Sequence, residues 1–160
     1  MKNLLLWVLV AIVVLFAARK VYVRFIAIPD LPIQTSVLTD GRGVQYNLQN
    51  DSHPYILISY VQSWCRDCIL EIPSMIQLQK EKGEDQIQVI LISDEPRANI
   101  NQIEKRFDGT VTVYRSGKSL ANMGIQVYPT TYLLGPDRKI LLVKKEGFDW
   151  NGSYVRALVK

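Results

Sequence analysis

The chain has 160 residues, enough for one ordinary domain and too few for two comfortable ones. It carries 19 Lys+Arg against 15 Asp+Glu, a formal charge of +4, and 48% hydrophobic residues. Lys2, Arg19, Lys20 and Arg24 are the only charged side chains before Asp30. The remainder balances at 15 basic and 15 acidic residues, which gives no support to a nucleic-acid surface.

Residues 4–18, LLLWVLVAIVVLFAA, form an unbroken apolar run flanked by Met1-Lys2-Asn3 and Arg19-Lys20. At 1.5 Å per residue it reaches roughly 22 Å, short of a hydrocarbon core of ~30 Å. The apolar residues of 21–28 extend it if Arg19, Lys20 and Arg24 snorkel. Neither Leu15-Phe16-Ala17 nor Phe16-Ala17-Ala18 has the small residues of a signal-peptidase site at both positions. The reading is an uncleaved anchor over 1–28 and one domain over 29–160, with a cleaved signal peptide as the alternative. By the positive-inside rule, the heavier basic flank after the run would place the domain in the cytoplasm.

Beyond Pro29 the pattern predicts strands alternating with helices. Asp40-Gly41-Arg42-Gly43, within 36–48, marks a hairpin. YILISYVQ (55–62) reads as a buried central strand, and 65–82 as a helix with Ile69, Ile72, Met75, Ile76 and Leu78 at helical spacing and a kink at Pro73. IQVILIS (87–93) is a second strand, 97–107 an amphipathic helix and 110–114 a third strand. A short helix near 119–123, a hairpin of 130–135 with 139–146 around Pro136-Asp137-Arg138, and a short terminal helix complete the order. This alternation argues for an α/β fold, a central mixed sheet with helices on both faces.

Both cysteines lie in the stretch SWCRDC (63–68), where the first strand gives way to a helix. Unpaired N–H groups and partial positive charge at a helix N-terminus stabilise a thiolate, so Cys65 is positioned as a nucleophile. Cys68 falls one turn on, within reach of a mixed disulfide at Cys65. Zinc would need four ligands where the chain offers two cysteines and His53. Copper(I) held by two thiolates and a purely structural disulfide remain as alternatives. Asp94-Glu95 before Pro96 reads as a turn and helix cap rather than a paired-carboxylate site.

Trp64-Cys65-x-x-Cys68 after a buried strand, with Tyr128-Pro129-Thr130-Thr131 before a later one, resembles the thioredoxin fold. Glu71 and Pro73 following Cys68, the early hairpin, the extra strand–helix unit and the Gly124–Thr131 segment are similar to membrane-anchored thiol-disulfide oxidoreductases of the TlpA/ResA type. The resemblance covers about residues 30–160 and implies catalytic roles for Cys65, Cys68 and Glu71. Glu71 would tune a thiol or relay a proton, because Ser59 stands where ordinary thioredoxins keep a buried aspartate. Trp64, Tyr128, Pro129 and Thr130 would shape the substrate surface, with Pro129 as a cis-proline.

The implied activity needs no cofactor beyond the Cys65–Cys68 disulfide. Its partners would be protein thiols and disulfides and an upstream thiol donor. The implied setting is a bacterial membrane, single-pass, with the domain outside the cytoplasm acting as a reductant, for example in cytochrome c maturation; this topology opposes the charge count. A copper(I) chaperone or a thiol redox sensor using the same cysteines is the alternative function. Arg66-Asp67 between the cysteines replaces the proline common in that group, and Gln62-Ser63 replaces its small residue and threonine.

Overall fold

The computed structural model describes residues 2–22, 31 and 37–160. Helix α1 (Lys2–Val21) exposes Trp7, Ile12, Leu15 and Phe16 among its apolar side chains. Among the described residues no helix is long and apolar enough to cross a membrane. The expected anchor over 1–28 therefore stays an expectation, and its last six residues lie outside the described ones.

The domain is built on one seven-stranded sheet in the order β2-β1-β5-β4-β3-β6-β7. Strands β1 (Leu38–Thr39) and β2 (Gln45–Tyr46) form the early hairpin. Its turn is closed by Asp40, whose Oδ1 accepts from the amides of Arg42 and Val44 at 2.8 Å each. Strands β3 (Tyr55–Tyr60), β4 (Ile87–Ser93) and β5 (Val113–Ser116) run parallel, whereas β6 (Thr130–Leu134) and β7 (Ile140–Lys144) return antiparallel on the other side of β3.

Between these strands lie α2 (Arg66–Lys82) and α3 (Arg97–Arg106), and α4 (Ser153–Leu158) follows the last. Gly83 at the end of α2 has φ +101°, a conformation side-chain-bearing residues rarely adopt, and its amide closes the last turn on the Gln79 carbonyl. Helix α2 runs through Pro73 as one helix.

Strand alternation splits the core into two layers. Tyr55, Leu57, Ile87, Leu91, Val113 and Leu133 face one side, where they pack with Ile72, Met75 and Leu78 of α2, Ile100 and Ile103 of α3, and Val155 of α4. Ile56, Ile58, Tyr60, Ile90, Ile92, Tyr132 and Leu134 face the other, under Leu48, Leu120 and Ile125. The expectation of helices on both faces is corrected accordingly. All three α-helices of the domain cover one face, and the second is covered by loops carrying the 3-10 turns Leu48–Asn50 and Ala121–Met123. Steps β3 to β4 and β4 to β5 advance in the same direction across the sheet. Right-handed crossovers in one direction place both helices on one side.

The third parallel strand also begins later than the expected 110. Asp108 and Gly109 adopt positive φ, and the amides of Gly109 and Thr110 turn back onto Glu104 and Phe107. This spends the alternating TVTV segment partly on ending α3, and pairing with β4 starts at Val113 opposite Leu91.

Candidate active site

Cys65 is the N-cap of α2, and its sulfur accepts the Cys68 amide at 3.2 Å. Sulfur thus occupies the capping place that an Asp or Ser oxygen usually fills, beside the unpaired N–H groups of the first turn. The two residues are joined as a disulfide with Cα atoms 5.3 Å apart. Cys65 is 7% exposed and Cys68 fully buried, so Cys65 is the sulfur a partner meets first. Once the bond is reduced, the helix terminus favours charge on Cys65.

Two aromatic side chains pair next to this cysteine in the fold, Trp64 preceding it in the chain. Trp64 is 71% exposed, far more than packing requires of so large a ring. It meets half-buried Tyr128 edge to face at 5.9 Å. The Tyr128–Pro129 peptide bond is cis. Thr130, by contrast, is buried, and its hydroxyl donates to the Val127 carbonyl at 2.7 Å, which commits that side chain to its own loop.

Glu71 lies one turn beyond Cys68 and is 3% exposed. Its Oε1 accepts from the Thr131 hydroxyl at 3.0 Å and from the Trp150 indole N–H. The Thr131 oxygen is also 2.7 Å from Ser59 Oγ. A hydroxyl has one hydrogen, so while Thr131 donates to the carboxylate, Ser59 must donate to Thr131. The Oε2 atom is buried without a partner in hydrogen-bond geometry. Burial pushes the Glu71 carboxyl up to about 7, against the Trp150 and Thr131 donors and the nearby Phe148 amide, which favour its charge, while the Asp67 carboxylate adds to the rise.

A groove of about 570 Å³ lies between α2 and the loop 147–149, lined by Asp67, Leu70, Glu71, Pro73, Gln77 and Phe148 with others. Phe148 packs edge to face on Trp150 at 5.2 Å, with the Lys144 ammonium 4.7 Å over the Phe148 ring.

Asp94 and Glu95 are neither a paired-carboxylate site nor a side-chain cap. Pro96 is the N-cap of α3 and no side chain caps that helix. Asp94 instead binds Gln62 Nε2 at 2.7 Å and the Leu120 amide at 2.9 Å. Glu95 binds the amide and hydroxyl of Ser63 at 2.6 and 2.8 Å. Both therefore fix the segment leading into Trp64 and Cys65.

The structure thus brings Cys65, Cys68, Trp64 and Tyr128 to one end of the sheet with Glu71 behind them. Thr131, Ser59, Trp150 and Glu95 join the site without having been expected there. Ser59, six residues before Cys65, and Thr131, within the Tyr128–Thr131 motif, carried a sequence signal, whereas Glu95 read as a turn and helix cap and Trp150 carried none. Among the described residues, no group of three or more His, Cys, Asp or Glu could hold a metal ion.

The chain is similar to known proteins. The thiol-disulfide oxidoreductase ResA of Bacillus thuringiensis subsp. konkukian is 24% identical over 108 residues, 66% of this chain and 62% of that protein. The thioredoxin-like protein YneN of Bacillus subtilis is 26% identical over 111 residues, with the same coverage of each chain. The match therefore spans 62% of the length of these relatives.

Among solved structures, the thioredoxin domain of a thiol-disulfide oxidoreductase from Bacteroides vulgatus superposes with a TM-score of 0.68 at 16% identity, covering 79% of this chain and 95% of that one. StoA from Bacillus subtilis superposes at 0.61 with 15% identity, covering 78% and 95%. These likenesses establish a thioredoxin-like fold. The AhpC/TSA family model matches residues 27–143, a span holding both cysteines, Glu71 and the cis-proline, and the chain belongs to that family.

Proposed function

We propose that this protein is a thiol-disulfide oxidoreductase whose Cys65 and Cys68 cycle between dithiol and disulfide. The observation that carries the reading is the disulfide at the N-terminus of α2, one turn before a buried carboxyl with a pKa near neutrality. The names of the relatives, thiol-disulfide oxidoreductase and thioredoxin-like protein, agree with it.

In the reducing direction the Cys65 thiolate attacks a client disulfide. One client sulfur leaves, takes a proton, and the other stays bonded to Cys65. Cys68 then loses its proton, to Glu71 in this reading, and attacks Cys65. The Cys65–Cys68 bond forms, the bond to the client breaks, and the second client sulfur departs and is protonated. Two electrons pass to the client, and a donor dithiol restores the pair. A carboxyl titrating near 7 can accept a proton and return it at neutral pH. The mechanism uses no cofactor besides the cysteine pair.

Exposed Trp64 and the Tyr128–Pro129 turn supply the docking surface for an extended client segment. The setting we propose is extracytoplasmic, tethered through residues 1–28 to a bacterial membrane, with the domain over 29–160 serving as a reductant in a process such as cytochrome c maturation. The apolar run of 4–18 and its basic flank support the tether.

The test is a redox titration of the cysteine pair in dithiothreitol and glutathione buffers. A reversible two-electron midpoint near or below about −250 mV is expected for a reductant, whereas one near about −120 mV would reverse the direction. Absence of a reversible couple would overturn the reading. For the topology, a reporter fused after Lys160 that is active only in the cytoplasm would overturn the extracytoplasmic placement.

A further inference from the structure

Trp150 is fully buried, yet it lies far from Cys68 in sequence and belongs to the segment connecting β7 to α4. A buried indole needs a partner for its N–H. Here the partner is the buried Glu71 carboxylate, one turn beyond Cys68. The ring is held from several sides. Its backbone amide donates to Ser74 Oγ at 3.0 Å, and that hydroxyl donates to the Glu71 carbonyl at 2.8 Å. Phe148 stacks against its edge. The indole is therefore clamped to α2 through the backbone and side chain of Glu71 together.

The two carboxyl oxygens are consequently unlike. Oε1 accepts from Trp150 and Thr131, and Thr131 is itself oriented by Ser59. Oε2 has no partner. A proton added to Oε1 would collide with two donors, whereas Oε2 accepts no hydrogen bond; the Phe148 amide is the other donor near the carboxyl. We propose that Trp150 is the positioning residue of the redox site: its indole N–H, with the Thr131 hydroxyl, fixes Oε1 as a permanent acceptor and leaves Oε2 as the atom that takes and releases the proton. The assignment rests on the redox reading above for its purpose, but on geometry for its existence. Of the charged groups nearby, Asp67 on α2 acts on the carboxyl and raises its pKa, Asp149 on the opposing loop lines the same groove, and the Lys144 ammonium lies over the Phe148 ring.

The test uses the full chain in detergent micelles, oxidised, with isotope-labelled glutamate carboxyl carbons and tryptophan indole nitrogens, titrated by NMR from about pH 5 to about pH 9. The buried Trp150 indole resonance is distinguished from those of exposed Trp7 and Trp64 by slow exchange with solvent. It is expected to titrate with the same midpoint as Glu71. In Trp150→Phe, which keeps a ring but lacks the donor, the Glu71 midpoint should rise by about one pH unit. The break in the plot of midpoint potential against pH should move with it. In a Glu71→Gln background, Trp150→Phe should leave that plot unchanged.

An indole resonance indifferent to pH while Glu71 titrates, or a Glu71 midpoint unmoved in Trp150→Phe, would overturn the proposal. Should Trp150→Phe fail to fold, the indole titration of the unmodified chain decides alone. Joint titration in a chain with no reversible dithiol couple would sustain the position of Trp150 and overturn the redox reading instead.

Discussion

The Glu95 carboxylate holds Ser63 by both backbone and side chain, at 2.6 and 2.8 Å across 32 residues of sequence, and so sets the approach of the chain to Trp64 and Cys65. Glu95 also accepts from Asn99 Nδ2 at 3.2 Å, and it is buried. Removing it leaves the Ser63 amide without its anionic acceptor. Glu95→Ala should cost about 2–3 kcal/mol of stability and slow client reduction, because the loop carrying Trp64 loses its tether. Denaturant melts paired with steady-state reduction of a model disulfide would check both effects. An unchanged midpoint of unfolding would show that the contact contributes nothing.

Glu71 makes stability depend on pH in an uncommon direction for a carboxyl. Its native pKa, about 7, exceeds its unfolded value near 4.5, so the native state binds the extra proton between them. Stability is therefore greatest below about 4.5 as far as this group is concerned and falls as pH rises through 7. The span amounts to roughly 2–4 kcal/mol. Glu71→Gln should remove that slope and be the more stable protein above neutrality. Thermal melts of both proteins at several pH values, under oxidising conditions, would reveal a parallel decline if the assignment were wrong.

Exposure distinguishes the two cysteines, with Cys65 slightly exposed at 7% and Cys68 fully enclosed. Cys68→Ser should accumulate a mixed disulfide with a client peptide through Cys65, since no second thiol resolves it. Cys65→Ser should accumulate little, as Cys68 is shielded. Mass spectrometry after incubation with an oxidised peptide reads out the adduct, and equal trapping by the two variants would contradict the ordering.

Trp64 is solvent-exposed and touches Tyr128 through a single edge-to-face contact. Trp64→Ala should change folding stability by about 1 kcal/mol or less. Its effect should fall instead on client affinity, raising KM by roughly tenfold, in keeping with the binding energy of an aromatic anchor. A variant with normal KM would remove Trp64 from the docking surface.

Much of this architecture was legible because apolar periodicity reports burial. The 87–93 strand was read to the residue, and α2 within one residue at its start, since Cys65 caps rather than enters it. Gly83 and Gly124 mark real stops, each at positive φ. The covering of the sheet was less visible, because Leu120 and Ile125 sit in a segment too short for helical periodicity. Contacts of long range escaped for a different reason. Trp150 lies 79 residues from Glu71 and Glu95 lies 32 from Ser63, and no local pattern announces such pairs. The thiols, whose chemistry is inseparable from their spacing, declared the site in one dimension, and the motifs around them pointed to Trp64, Glu71, Tyr128 and Pro129.

Strand β3 pairs parallel with β4 on one side and antiparallel with β6 on the other, with Ser59 opposite Thr131 and Tyr60 opposite Thr130. The antiparallel partner begins where β3 ends, which is how the cis-proline turn and the cysteine loop come to share one edge of the molecule. The chemistry is consequently written into strand alignment. Sliding β6 by one position would set Tyr132 opposite Ser59 and turn the Thr131 hydroxyl to the opposite face. The carboxyl would lose its hydroxyl donor although no residue had changed. In this fold, the hydrogen bonding of the Glu71 carboxyl is preserved by the same register that preserves the core.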